Sequence, residues 1–568
     1  MGLGKKAPPL PNKSSKSECG LPASAVWLCL AAAVIGGLLY APALHGKFIF
    51  DDNALPFRQG IRNAELGAWV SGVRPVLMFT YWANYNLSGW NPYGYHLLNL
   101  LIHVTNACLV FVVLFHLLGL AGWLGEKRYA AAVLGATAFL IHPLATESVS
   151  YVAGRSESLA ALFMLAAYVV FLDGYSAPIR WRRSMVVLGL FALAVATKEN
   201  AAALAGVLLL TDICWPSPFS LGGVRRNYRI YLLMIPGIAA GMLWVVRVLA
   251  QAQTAGFSLK EVRWYQYTFT EARAILAYVR LAAVPFGQSV DHDFPVSRTI
   301  ESYGAIYCVL LLAVAIAAAL WFRKRYPLAC FGLLLFIVLL APTSSIVPIA
   351  DPLVERRLYL PILGLILITC QFAGGVRWTP GAVLSIACVL LVLSALCYRR
   401  NQLWGRPEQI WASAAEQSTR KGRPYLGLAV SMVAANRCSD AIPYLERGEA
   451  LMPRDFDVQV AWAKIFECQG RREDALRHLE RAATLLPTSS VYQLIGLLYG
   501  EMGRQEAAGD ALRKAAALGP RDAAAHSALG LWYESVGNSA GAEREYRQAL
   551  ALDAYSAEAR AGLYRIRQ

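Results

Sequence analysis

This sequence is short of charge: only 16% of its 568 residues are Asp, Glu, Lys or Arg, against 57% hydrophobic. Mean hydropathy is +0.43. These figures exclude a soluble domain and describe a polytopic membrane protein. Acids are the scarcer sign, 37 against 53 basic residues. That excess does not mark a nucleic-acid binder, because the basic residues sit in short clusters between apolar runs, which is how topology is written. Metal-ligand spacing is missing as well. The eleven cysteines are scattered, mostly inside apolar runs (Cys29, Cys108, Cys308, Cys330, Cys388), as small buried hydrophobes. Cys438 and Cys468 lie outside the membrane region, and the sequence leaves open whether they pair. The apolar run from about Ala23 to Leu44 is too long for a signal-peptide core and has no convincing cleavage site, so it reads as an uncleaved first span.

Apolar runs recur to about Cys397, after which the chain turns polar and helical. Lys127-Arg128, Arg180 with Arg182-Arg183, Arg225-Arg226 with Arg229, Arg323-Lys324-Arg325 and Arg377 mark cytoplasmic loops, with the lysine-rich tail ahead of the first span. The stretch Arg273–Phe286 is short and amphipathic, a re-entrant or interfacial helix. The expectation is about 11 spans, an odd number, so the C-terminal part emerges on the side opposite the tail. The domains read as a cytoplasmic tail (1–22), a membrane-embedded domain (23–400), a linker (401–421) and an extracytoplasmic domain (422–568).

That last domain repeats. Pro453, Pro487 and Pro520 close similar lines, and Gly470, Gly503 and Gly537 mark turns about 34 residues apart. A small residue and an aromatic precede each turn (Ala463/Phe466, Gly496/Tyr499, Gly530/Tyr533), and Ala475, Ala508 and Ala542 follow it. This is the tetratricopeptide pattern of helix hairpins, about four repeats and a capping helix, forming an α-solenoid with a groove for peptides or proteins.

On this topology the unusual polar residues fall on one side. Asp51-Asp52 stand at the outer mouth of the first span, where paired carboxylates are costly and usually functional. The same side receives Arg74-Pro75 through His96, then His142 to Glu147, then Gly154-Arg155-Ser156-Glu157. Lys198-Glu199 form the apex of an apolar hairpin whose first arm, at ~1.5 Å per residue, covers only ~20 Å of a ~30 Å core, so they lie recessed. Glu355-Arg356-Arg357 open the penultimate span. Such a set suits sugar transfer from a lipid phosphate. A carboxylate takes the acceptor's proton, with Asp51 the candidate base and Asp52 orienting it or capping a helix. Cations hold the phosphate, with Arg155, Lys198, Arg356 and Arg357 as candidates. Arg74, His96, His142, Glu147, Glu199 and Glu355 are candidate supporting residues. No cofactor is assigned, although Asp51 and Asp52 also offer oxygens to Mg²⁺ or Mn²⁺ without a committed third acid. Each element has a plainer reading: a helix cap for Asp51-Asp52, interface anchors for Arg356-Arg357, a structural ion pair for Lys198-Glu199.

The order FIFDDN, RPVLMFTYWANYNLSGWNPYGYHLLNLLIH, HPLATESVSYVAGRSE, TKEN, ERRLYLP and then tetratricopeptide repeats resembles the transmembrane and tetratricopeptide-repeat O-mannosyltransferases and their bacterial relatives. The resemblance implies an all-α, membrane-embedded C-type glycosyltransferase fold, a polyprenyl- or dolichyl-phosphate sugar donor, inversion at the anomeric carbon and Ser/Thr acceptors on proteins. It places Asp51 at the acidic catalytic position and Arg356 or Arg357 at the donor phosphate. The Ala/Arg-rich composition favours a bacterial inner-membrane member with its repeats in the periplasm, the alternative being the endoplasmic reticulum with repeats in the lumen. Competing readings are transfer to a lipid or polysaccharide, which needs no peptide groove, and a membrane scaffold or transporter. The recessed charges argue against the scaffold, and the lack of internal symmetry argues against the transporter.

Overall fold

The computed structural model describes residues 25–55, 66–215, 219–251, 262–375, 377–553 and 556–568. The expected cytoplasmic tail therefore lies outside the described residues. Among these residues the chain is helical throughout and has no strand.

Five helices are long and apolar enough to cross a bilayer by length and composition: Val26–Ala43, Pro92–Leu120, Val152–Leu172, Ser302–Trp321 and Pro380–Trp404. Gly125–Ile141 joins Pro143–Val149 across a 50° bend and makes a sixth. Tyr228–Ala239, Pro327–Leu340 and Ile362–Ala373 are apolar but shorter. The expected eleven crossings count such short helices as spans. Several of the short pieces are interrupted by the motifs themselves. Trp181–Thr197 stops at Lys198, whose extended backbone (φ −156°, ψ 132°) breaks the helix before Ala203–Cys214 resumes. Pro143 ends the helix that leads to His142, as the residue before a proline leaves the α region. Arg273–Phe286, expected to be interfacial, belongs mostly to the helix Trp264–Ala283, which is not among the candidate spans.

The repeats follow as antiparallel helix pairs: Arg423–Val433 with Cys438–Leu451, Phe456–Cys468 with Arg472–Leu485, Ser489–Glu501 with Gln505–Leu518, and Ala523–Ser535 with Ser539–Leu552. Ala557–Arg565 caps them. Asp455, Thr488 and Asp522 accept from amides of the helices that follow each proline line, so each start is capped. Gly470, Gly503 and Gly537 adopt φ of 74°, 75° and 77° at the intra-repeat turns, where the left-handed conformation suits glycine. The first repeat meets the same need with Asn436 (φ 60°). A Cβ on Gly496 would stand 2.5 Å from Leu512, so the small residue there allows the helices to close. A disulfide links Cys438 to Cys468 and ties the first repeat to the second.

The segment expected as a linker is ordered helix. Pro380–Trp404 runs straight past residue 401, and Pro407–Glu416 follows. Its apolar face does not separate the two halves. One buried cluster contains Ala43, Ile49, Tyr151 and Val290 from the membrane half with Trp404, Trp411, Leu428, Ala429 and Leu445 from the C-terminal half. The first repeat is thus packed onto the loop that carries Asp51.

Candidate active site

The adjacent carboxylates are built for different tasks. Phe50–Ala54 is a short 3-10 turn, and its backbone sends successive side chains in different directions. Asp52 is buried. One of its oxygens accepts from the Ile49 amide at 3.1 Å and the other from the Ala153 amide at 2.7 Å. Burial pushes its carboxyl up to about 7. Asp52 therefore closes its own turn and clamps it to the loop 150–154. A divalent ion at Asp51-Asp52 would share the Asp52 oxygens with the two backbone N–H groups that close the turn.

Asp51 keeps its side chain half exposed, while its amide donates to the Tyr151 hydroxyl at 2.7 Å. Its carboxylate lies 3.8 Å from the Arg356 guanidinium. On the other side Arg356 is held by buried Glu147, which accepts from the Arg356 amide at 2.9 Å and from its guanidinium at 2.7 Å. Glu147 comes from the short helix after the His142-Pro143 bend, so two remote motifs meet at one arginine. The result is a row of Asp51, Arg356 and Glu147 with the aromatic face of Tyr151 alongside, its centroid 5.8 Å from the Arg356 guanidinium carbon.

Arg357 turns the other way. It donates to the carbonyls of Pro352 (2.9 Å) and Asp351 (2.8 Å) and lies 4.0 Å from buried Glu271. It also lines a small cavity of about 30 Å³ with Glu157, Asn200 and Tyr359. Lys198 pairs with Glu157 and approaches Ser156 at 3.3 Å, and Asn200 donates to the other Glu157 oxygen at 3.1 Å. This polar pocket shares Met164, Leu339 and Leu360 with a second, apolar one lined by Leu165, Tyr168, Leu204 and Leu335. The two cavities thus share a wall, with charged and polar groups only on the Glu157, Asn200 and Arg357 side.

Arg155 is the residue that the sequence misplaces. The expected phosphate role is corrected by its enclosure: it is fully buried, and its guanidinium donates to Asn99 (2.6 Å), Asn84 (2.7 Å), Tyr95 carbonyl (3.1 Å) and Thr80, with the Tyr81 ring 4.5 Å away. A cation enclosed and committed on every edge has nothing left for a ligand. The supporting residues divide similarly. Arg74 forms a two-point pair with Glu199 at 2.6 and 3.0 Å. His96 bonds the Gly46 carbonyl at 3.1 Å. His142 accepts from the Leu144 amide and donates to the Ala282 carbonyl at 3.0 Å. Glu355 is filled by Gln288, the Ser289 amide and His292, all within 2.9 Å. His96 and His142 bond backbone, Arg74 and Glu199 bond each other and Glu355 bonds both backbone and side chains, and none of these contacts reaches the Asp51 carboxylate.

Tyr151, Glu157 and Asn200 complete the site; Glu157 is among the polar residues expected on the outer side, but none of the three was given a role. Tyr151 and Glu157 sit inside the HPLATESVSYVAGRSE stretch and Asn200 inside TKEN, so their neighbourhood was legible. Their individual roles depend on contacts between segments tens of residues apart.

No family model matches the sequence. The chain is 25% identical over 513 residues to protein O-mannosyl-transferase TMTC1 of Homo sapiens, covering 78% of this chain and 57% of that protein. It is 24% identical over 496 residues to protein O-mannosyl-transferase TMTC4 of Homo sapiens, covering 74% of this chain and 65% of that one. The chain thus spans between half and two-thirds of the length of these curated relatives. Among solved structures, a thermophilic tetratricopeptide protein of Thermus thermophilus aligns with 32% of this chain and 95% of its own at 18% identity and a TM-score of 0.26. Over most of this chain, its curated relatives are O-mannosyl-transferases.

Proposed function

We propose that this chain is a membrane-embedded C-type glycosyltransferase. It moves a sugar, mannose or another hexose, from a polyprenyl-phosphate donor to Ser/Thr hydroxyls of extracytoplasmic proteins, with inversion. The observation that carries the reading is the half-exposed Asp51 carboxylate beside Arg356, whose sequence neighbour Arg357 lines a cavity with Glu157 and Asn200. A polyprenyl chain is apolar and its headgroup is not, and the linings of the two adjacent cavities divide in the same way.

In the transfer the acceptor hydroxyl oxygen forms a bond to the anomeric carbon while the bond from that carbon to the phosphate oxygen breaks. The hydroxyl proton passes to Asp51. The bonding electron pair leaves with the polyprenyl phosphate, whose added charge is met by Arg357 on the pocket wall and by Arg356. The Glu147 clamp keeps Arg356 from collapsing onto Asp51 and neutralising the base. The repeats supply the protein acceptor. The Cys438–Cys468 disulfide supports an oxidising compartment for them, in keeping with a bacterial inner-membrane protein whose repeats face the periplasm.

The test is reconstitution in lipid nanodiscs with polyprenyl-phosphate mannose and a periplasmic protein extract, followed by mass spectrometry of acceptor peptides and the anomeric assignment of the product. Hexosylated Ser or Thr with inverted configuration supports the reading. Consumption of donor with sugar found only on lipid or polysaccharide would replace it with the alternative acceptor class.

A further inference from the structure

Phe50 is the residue before the candidate base, and its backbone is left-handed (φ 49°), a conformation that bulky residues rarely hold unless their surroundings impose it. The surroundings here come from both halves: the Tyr151 ring stacks on Phe50 at 6.4 Å, and the C-terminal half covers the rest. The Trp411 ring meets Phe50 edge-on at 5.5 Å, and the Arg423 guanidinium lies 5.1 Å from the Phe50 ring centroid. Arg423 is the first residue of the first repeat helix.

The same guanidinium reaches the second half of the site. It bonds both oxygens of Asp291 at 2.6 Å and one oxygen of Asp351 at 2.8 Å. Lys421 pairs with the same two acids, and with Asp351 at 2.7 Å. Asp351 and Pro352 in turn offer their carbonyls to Arg357. Thr419 and Arg420 amides each donate to Asp293 at 2.9 Å, fixing the approach of the chain. One side chain of the repeat domain therefore touches the ring beside Asp51 and the acid that anchors the Arg357 loop.

We propose that Arg423 is a positioning residue for the transfer reaction, and that the first repeat belongs to the catalytic unit while only the later repeats form a separable acceptor reader. This rests on the reading given under Proposed function. Planarity matters at this position: a guanidinium stacks and forks, whereas an ammonium supplies only charge. Arg423→Lys should keep the Asp291 and Asp351 attraction and lose the cover on Phe50.

The experiment pairs amide hydrogen exchange with kinetics on the full chain in nanodiscs, comparing wild type with Arg423→Ala, Arg423→Lys and Arg477→Ala. Arg477 is an exposed arginine of the second repeat that pairs with Asp474, and it serves as the control. In Arg423→Ala, exchange should rise about tenfold or more in both 49–54 and 351–358. Turnover should fall about 10- to 100-fold with acceptor KM unchanged, as a displaced reacting group predicts. In Arg423→Lys only 49–54 should loosen. Wild-type protection of both segments in Arg423→Ala, or loosening without loss of turnover, would overturn the proposal. If wild-type protein transfers no sugar, the functional reading fails, and the exchange pattern still decides whether Arg423 holds the two loops.

Discussion

Glu147 holds Arg356 by both its backbone amide and its guanidinium, from a helix more than 200 residues earlier in the chain. The pair is nearly enclosed on the Glu147 side, with that side chain 3% exposed, while Arg356 remains 23% exposed toward Asp51. The arginine is therefore fixed by one acid and presented to another.

Removing the buried partner should be costly. Glu147→Ala removes the nearer and buried of the two carboxylates that face Arg356, and breaking a buried pair typically costs about 3–5 kcal/mol. Thermal unfolding in nanodiscs should show a large loss of stability, together with loss of transfer. An unshifted melting curve would mean that the pair carries no structural weight.

Arg155 and Arg357 should behave oppositely. Arg357→Ala removes a cavity-lining cation, so donor binding should weaken in the folded fraction, and some stability is lost with its bonds to the Asp351 and Pro352 carbonyls. Arg155→Ala empties an enclosed site whose amide and carbonyl acceptors would be left unsatisfied, so the folded yield should fall. The folded fraction should still bind polyprenyl phosphate normally. Donor titrations on the two purified variants decide this, and equal weakening in both would restore Arg155 to the phosphate site.

Asp351, under Arg423, gives a pH signature. Burial raises the Asp351 carboxyl, but Arg423 and Lys421 more than offset this and hold it at about 2. A depressed carboxylate pKa contributes stability that is complete above the unfolded value of about 3.9 and is lost as pH falls through the folded one. The contact between the first repeat and loop 351–357 should therefore hold above about pH 4 and weaken between about pH 4 and 2. Hydrogen exchange of 351–358 across that range should show the loosening, and Asp351→Asn should flatten it.

Truncation separates the repeats. A chain ending at Asp455 keeps the first repeat, its contact with Phe50 and the Arg423 pairs. It should retain donor hydrolysis in water while transfer to the protein acceptor collapses. A chain ending at Lys421 removes Leu428, Ala429 and Leu445 from the shared core and should lose both activities. Equal behaviour of the two truncations, scored by release of polyprenyl phosphate, would contradict the division drawn here.

The repeats were legible because period, glycine register and proline lines are local signals, and the helices follow them to within a few residues. Only the first turn hid its register, since Asn436 stands where the others have glycine. The motifs around the site were also legible, because carboxylates and arginines beside apolar runs are conspicuous. Their roles were not. Asp51 and Asp52 differ only through which backbone amides reach them, and Arg155 looked like a ligand because its cage of Asn84, Asn99 and Tyr95 is assembled from other helices. The linker was misread for a related reason. Its polarity marks the end of the spans, but the apolar residues Trp404, Ile410 and Trp411 are spaced to pack onto Ile49 and Tyr151, and that surface exists only in the folded protein.

The central claim is that Asp51 is the base, and one substitution tests it most directly. Asp51→Asn preserves the size of the side chain and the amide bond to Tyr151 while removing the proton acceptor. Transfer from polyprenyl-phosphate mannose to a Ser/Thr acceptor in nanodiscs should fall by roughly 10²–10⁴, with donor affinity and melting temperature unchanged. Transfer at the wild-type rate by a folded, donor-binding Asp51→Asn protein would contradict the account.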